Sequence, residues 1–299
     1  METKGIYTRE DAKRNRDKNL VIGEDYQCIA EGAFQNNIKV RTLFLDRNVR
    51  EIRKKAFLNC TAIKKIEMPG VRVIGQEAFE GCVNLTGASL PDTVETIGNS
   101  AFSGCKRLMS VQIGKMSQDM VISRDIFRGC VSLKDIQLPQ KIKTIEDFAF
   151  YKCQNLSEFF FSKCIREIGN SAFYGCGFTE LELTDGLEKI GDSAFLKCRN
   201  LEYVRIPESV KIIGKWAFHG CNRLKVIEIA HEPENIGDWI INRSVTVRCY
   251  KSGKVDKYCK KFQLCAQLRV CSQAGGIPVY PRFSQLGNSE SWDDAGNDI

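Results

Sequence analysis

Apolar positions recur along this chain in three short pieces that repeat at a fixed interval. The clearest copy runs from Val94-Glu95-Thr96-Ile97-Gly98 through Asn99-Ser100-Ala101-Phe102-Ser103-Gly104-Cys105 to Leu108, Val111 and Ile113. The first piece alternates apolar and polar residues and ends on glycine, which predicts a short strand and a turn. The middle piece sets polar residues before a small and a large apolar one, and fits a single helical turn closed by Gly104. The last alternates in and out over Val111–Ile113, as a second short strand requires. Pro69, Pro91, Pro139 and Pro207 come after that strand in four copies. A proline there cannot extend a strand ladder, so the chain must turn.

The middle piece returns nine times, with its phenylalanines at Phe34, Phe57, Phe79, Phe102, Phe127, Phe150, Phe173, Phe195 and Phe218. The steps are 23, 22, 23, 25, 23, 23, 22 and 23 residues. Alanine precedes all but Phe127, which comes after Ile126. Cysteine stands three residues later in all but the first copy, where Asn37 takes its place. A period in the twenties marks a solenoid, in which each coil buries its apolar side only against its neighbours. The expected fold is therefore a mainly β repeat solenoid of short parallel strands and single helical turns, with Phe and Cys as interior columns. The 25-residue step places a two-residue insertion within Gly114–Met120. Insertions of this kind map to loops on one face.

The pattern divides the chain. Residues 1–25 carry no repeat phase and read as a polar leader. Residues 26–250 read as the solenoid, nine clear repeats and a degenerate tenth at Ile236-Gly237-Asp238-Trp239-Ile240-Ile241. Residues 251–272 read as a C-terminal capping helix, with Val255, Tyr258, Cys259 and Phe262 on one side. Residues 273–299 are rich in Gly, Ser, Asn, Asp and Pro, and a disordered tail is expected there.

Composition narrows the chemistry. Of 299 residues, 14 are cysteine and only 2 are histidine. Eight of the cysteines hold one repeat position. Stacked equivalents lie roughly 5 Å apart. Their Cβ vectors run parallel, which does not suit disulfides. They read as reduced thiols that donate to a buried backbone carbonyl, a role that Asn37 is expected to share. Cys249, Cys259, Cys265 and Cys271 lack the C-x2-C spacing of zinc knuckles. His219 and His231 stand apart, and no GxSxG, HExxH or P-loop occurs in a strand-to-helix context. No enzyme activity, metal or cofactor is expected. A net charge of +7 without a basic run interleaved with aromatics argues against nucleic acid as the partner. No apolar run reaches the length of a membrane span.

The unit V-x-x-I-G-x-x-A-F-x-G-C-x-x-L-x-x-I-x-L-P is similar to the BspA-type leucine-rich repeats. The best copies are VETIGNSAFSGCKRLMSVQI at 94–113 and VKIIGKWAFHGCNRLKVIEI at 210–229. The closing VTVRCYKSGKVDKYCKKF resembles the ending found in that family. The resemblance implies a curved right-handed solenoid whose L-x-x-I-x-L strands form a parallel sheet on one face. It also implies adhesion or host-interaction proteins exposed on the surface of gut and oral bacteria and some parasitic protists. Against that placement, METKGIYTREDAKRNRDKNL has no apolar core of a secretory signal, which suggests the cytoplasm.

Outward positions of the second strand are set by the phase. Ten residues after each Phe stand Phe44, Glu67, Ser89, Gln112, Gln137, Phe160, Arg205 and Glu228, with Glu182 from a coil one residue shorter. Phe160 and Tyr203 stand out, flanked by Glu158, Glu180, Glu182 and Arg205. Exposed aromatics among charges are the usual material of binding hot spots. The expected function is a non-enzymatic module that binds a protein, or alternatively a glycan, on this face. The other reading is a structural spacer or a fragment of a larger surface protein.

Overall fold

Two short strands per coil are possible only if something joins coil to coil between them, because strands of two to five residues carry few hydrogen bonds. A computed structural model describes residues 5–114 and 119–269 and provides that join. Its fold is a parallel-strand β-solenoid of about 11 turns with very little helix. The L-x-x-I-x-L strands follow one another along one row, hydrogen-bonded in three groups and in register within each: Ser110 pairs with Gly87 on one side and Asp135 on the other. The V-x-x-I strands stack in a second row, where Val73 pairs with Glu51 and Thr96.

The join is the A-F-x-G-C segment. The sequence suggests one helical turn there, and the structure has a run of tight turns instead. The Ser100 and Gly104 φ angles are +58° and +68°, in the left-handed region. A right-handed helical turn cannot contain them. The alternation sends every second N–H out of the coil. Ser100, Phe102 and Gly104 donate to the carbonyls of Arg124, Ile126 and Arg128 in the next coil, at 3.0, 3.0 and 2.7 Å. Between them Ala101, Ser103 and Cys105 close turns on Gly98, Ser100 and Phe102. The turn side is thus a third intercoil ladder. Close approach there explains the glycine before it: a Cβ on Gly98 would stand 2.5 Å from the Gln76 backbone nitrogen.

The core is a column. Neighbouring Phe rings from Phe34 to Phe218 stack with centroids 5.0–5.9 Å apart. The widest gap, 5.9 Å, separates Phe102 from Phe127, across the two-residue insertion. Residues 115–118 of that insertion, and the expected tail at 273–299, lie outside the described residues.

Of the polar leader expected over residues 1–25, residues 5–25 are built into the stack. Gly5–Tyr7 pairs with Tyr26–Ile29, and Asn19–Ile22 pairs with Thr42–Leu45. Helix α1 (Arg9–Arg14), capped by Thr8 and Asp11, lies between them. The cause is Tyr7, whose ring stacks on Phe34 at 5.4 Å and begins the column. Leu20 and Ile22 then supply the inward positions of a strand.

At the other end, helix α2 (Lys254–Phe262) buries Val255, Tyr258, Cys259 and Phe262, and Cys265–Arg269 adds a last strand to the first row. The Tyr258 hydroxyl accepts the Ile240 N–H at 3.0 Å, a donor with no further coil beyond it. Burial pushes the Tyr258 phenol up to about 12. Tyr258→Phe should lower unfolding free energy by ~1–3 kcal/mol, the cost of an orphaned buried donor. Urea denaturation with an unchanged slope is the check, and an unaltered midpoint would remove Tyr258 as a cap.

Candidate interaction surface

A catalytic surface needs reactive groups, and the thiols are the most numerous candidates. Each repeat thiol is turned onto the previous coil: Cys60, Cys105 and Cys153 Sγ donate to the carbonyls of Phe34, Phe79 and Phe127 at 3.0, 3.3 and 3.2 Å. Burial pushes the Cys60 thiol up to about 12, and those of Cys105 and Cys130 well above their usual range. The nucleophile is the thiolate, so thiols held protonated in this way are inert at neutral pH. Asn37 does not share their role. Its Oδ1 accepts from the Lys39 and Val40 N–H groups at 2.8 and 3.0 Å, a local turn. Both histidines lie against backbone: His231 Nε2 is 2.7 Å from the Val210 carbonyl and His219 Nδ1 is 3.4 Å from that of Ile241. Among the described residues no three His, Cys, Asp or Glu side chains gather as metal ligands.

The outward row of the first sheet remains. Phe44, Glu67, Ser89, Gln112, Gln137, Glu182 and Arg205 are all surface residues of that row. Phe160 is 79% exposed, the most of any large apolar side chain described. It sits where the row is interrupted. Asp135–Gln137 and Glu180–Leu181 are strands, and Phe159–Phe161 between them is not. The reason is bulk. Phe159 and Phe161 point into the core where other coils carry Ala, Val, Ile, Leu or Met, and meet the Phe173 ring edge-on at 5.0 and 5.5 Å. The next coil is the shortened one, so its strand has only two residues.

Beside the interruption the register sets Glu180 against Tyr203 and Arg205 against Glu228. Glu158 and Glu180 are exposed. Tyr203 is half-buried, and its hydroxyl donates to Glu228 Oε2 at 3.1 Å. Burial first, then the Glu228 charge, raises its phenol to about 12, so it remains a donor. Glu228, expected on the exposed row, is only 2% exposed. The strand Thr246–Tyr250 explains this: Arg248 lies in register beside Glu228 and in turn donates to Gln267 at 2.8 Å. Sequence reasoning passes over Arg248. The available signal is its place in Val245-Thr246-Val247-Arg248, in phase with Val226-Ile227-Glu228. The surface thus divides into an open acidic and aromatic part around Phe160 and a zipped part around Tyr203, Glu228 and Arg248.

The BspA type leucine rich repeat region is the family model that matches, in 6 copies over residues 14–120 and 120–248. No curated protein matches the sequence significantly. Among solved structures, a leucine-rich repeat protein from Bacteroides ovatus is similar at 25% identity and a TM-score of 0.64, over 80% of this chain. This chain spans 64% of that protein's length. A leucine-rich repeat protein from Eubacterium ventriosum is similar at 22% identity and a TM-score of 0.50, over 58% of this chain and 46% of its own. No helix among the described residues is long and apolar enough to cross a membrane.

Proposed function

Since the chain belongs to the BspA-type leucine-rich repeat family, whose repeats suggest a protein-interaction or surface module, we propose that it binds a protein partner on the outward face of its first sheet. The contact centres on Phe160, with Glu158, Glu180, Glu182, Tyr203 and Arg205 around it. The observation that carries this reading is Phe160 itself. A ring 79% exposed at a break in a sheet row gains nothing where it stands, and burying it in a partner recovers ~1.5–3 kcal/mol. Tyr203 is already held by its hydrogen bond to Glu228, so little of its conformational freedom is lost on contact. Family resemblance adds the finer suggestion that the partner is met in adhesion or host contact. A glycan is the alternative ligand.

The experiment compares partner capture by wild type and by Phe160→Ala/Tyr203→Ala. Loss of a central aromatic contact costs at least ~2 kcal/mol, roughly thirtyfold in affinity. Retention of the same bands at the same strength by the double variant would remove this face as the site.

A further inference from the structure

The turn side of the solenoid carries a second constellation, on different residues from those of the sheet face. Four successive coils contribute one member each: Arg128, Tyr151, Tyr174 and Lys197. The Arg128 guanidinium lies 4.9 Å from the Tyr151 ring centre. Tyr151 and Tyr174 stack at 4.6 Å with planes 22° apart. Lys197 Nζ stands 5.6 Å from the Tyr174 ring centre. Lys152 reaches the Tyr151 ring as well, at 5.3 Å. The result is a cation–ring–ring–cation stack along the coils.

The backbone beneath it breaks the repeat's own rule. The residue before each ladder cysteine has a φ between +56° and +72°. Five coils place glycine there, Gly81, Gly104, Gly129, Gly175 and Gly220, and Asn59 occupies a sixth. Glycine and asparagine adopt that conformation most readily, although two residues before the Phe the same turns hold it with Lys55, Ser100 and Trp216 among others. The two remaining coils use lysine, Lys152 and Lys197, each at φ +61°. Both departures end on a tyrosine of the same stack. At this position, then, the two coils that depart from glycine and asparagine both place a cation on one surface.

The stack also selects its ligand. Arg128 covers one end of the tyrosine pair, Lys197 the other, and each ring covers its neighbour. No open ring face remains for a nucleobase or a sugar ring to stack upon, which single-stranded nucleic acids require. Facing outward is a line of donors: a guanidinium 48% exposed, two exposed ammonium groups and the edges of two phenols. The adjacent carboxylate of Asp125 is held by Arg128 at 2.9 Å and Arg124 at 3.6 Å. Glu80, raised by burial, feels the Arg128 charge as well. Glu77, paired with Lys55, also acts on Glu80, so three carboxylates stand against Lys55, Arg124, Arg128, Lys152 and Lys197, and positive charge remains in excess. We propose that this strip docks an acidic peptide segment of a partner protein, its carboxylates accepting from Arg128, Lys152 and Lys197. An extended chain places alternate side chains ~6.5–7 Å apart, within reach of cations set one or two coils from each other.

The test uses the full chain and a fluorescein-labelled peptide of alternating Glu and Ala, monitored by fluorescence anisotropy at low and high salt. Wild type should bind, more weakly at high salt. Lys152→Gly/Lys197→Gly restores the residue the other coils use. It should bind at least about tenfold more weakly, as expected for loss of two charge-assisted contacts, and melt no lower than wild type. Lys13→Ala/Lys18→Ala removes the same charge elsewhere and should bind as wild type does. Absence of wild-type binding, equal binding by the glycine variant, or an equal loss in the Lys13/Lys18 control would each overturn the proposal. Binding of single-stranded DNA or heparin in place of the peptide, with the same dependence on Lys152 and Lys197, would overturn the assignment to an acidic peptide.

Discussion

Phe150→Ala is expected to unfold at a much lower urea concentration than wild type, a loss of ~3–5 kcal/mol. The ring is fully buried, with Phe127 at 5.5 Å, Phe173 at 5.1 Å and Phe159 edge-on at 5.3 Å. Removing it takes away both transfer energy and ring contacts on three sides. The cavity cannot close, because the coil that holds it is bonded to both neighbours on the turn side: the Phe150 N–H donates to the Ala172 carbonyl and the Phe127 N–H to that of Ala149. In a linear array a weakened middle coil also weakens the coupling between the halves. A circular-dichroism urea titration should therefore show a lower midpoint and a broader transition. An unchanged midpoint would reject the column as the main source of stability.

Alkaline pH should unfold the protein well before its surface charges alone would. The thiols of Cys60, Cys82, Cys105, Cys130, Cys153, Cys176 and Cys198 are all raised by burial, that of Cys60 to about 12. An unfolded thiol gives up its proton near 9.0. Between these values the unfolded chain has lost protons that the folded chain still holds. Stability is thus intact below pH 9 and falls as pH rises towards 12, by roughly 1.4 kcal/mol per pH unit for each such thiol. With several thiols acting together, the decline is steep. Urea titrations at about pH 8, 9, 10 and 11 measure the slope. Cys105→Ala/Cys130→Ala should start less stable and decline more gently. A flat profile across that range in wild type would mean that the ladder thiols are not protonated as the burial requires.

Much of the fold is legible in spacing, because a solenoid writes its geometry into a period. Phe102 and Cys105 recur in phase, so their columns can be read, and so can the donation from each thiol to a buried carbonyl. Tyr7 cannot. It enters the same column without the Ala, Gly and Cys that mark the other coils, and a single ring has no phase. Asn37 misleads for a related reason: the coil before it is the unphased one of Tyr7, and the amide turns to its own backbone. The tight turns at Ser100 and Gly104 resemble a helical turn in sequence, since polar, small and large residues in succession suit either. Their deciding feature is the bond to the next coil, which local sequence does not encode.

The surface is less legible than the core. Phase places Phe160 outward, and it is exposed. Phase also places Glu228 on the open row, yet it is buried, because the strand of Arg248, from a coil whose Phe is missing, pairs beside it. The Tyr151–Tyr174 stack escapes for a different reason. The position just after the Phe, which carries both tyrosines, varies from coil to coil, and variation looks the same as solvation. The lysines at 152 and 197 carry the local hint, as side chains where the turn favours glycine.

The turn ladder has a direction. Phe34 donates forward to Ala56, Phe57 to Ala78, Phe150 to Ala172 and Phe218 to Ile240, and the last donor ends on the Tyr258 hydroxyl. Every coil therefore offers the same donors to the coil after it and the same acceptors to the coil before it. A gene that duplicates or deletes one whole coil leaves both ends of that chain of bonds chemically unchanged. The junction with Tyr258 is the exception. Array length can drift over generations by slippage of whole units, while the closing segment, from the last coil through α2, must be inherited intact.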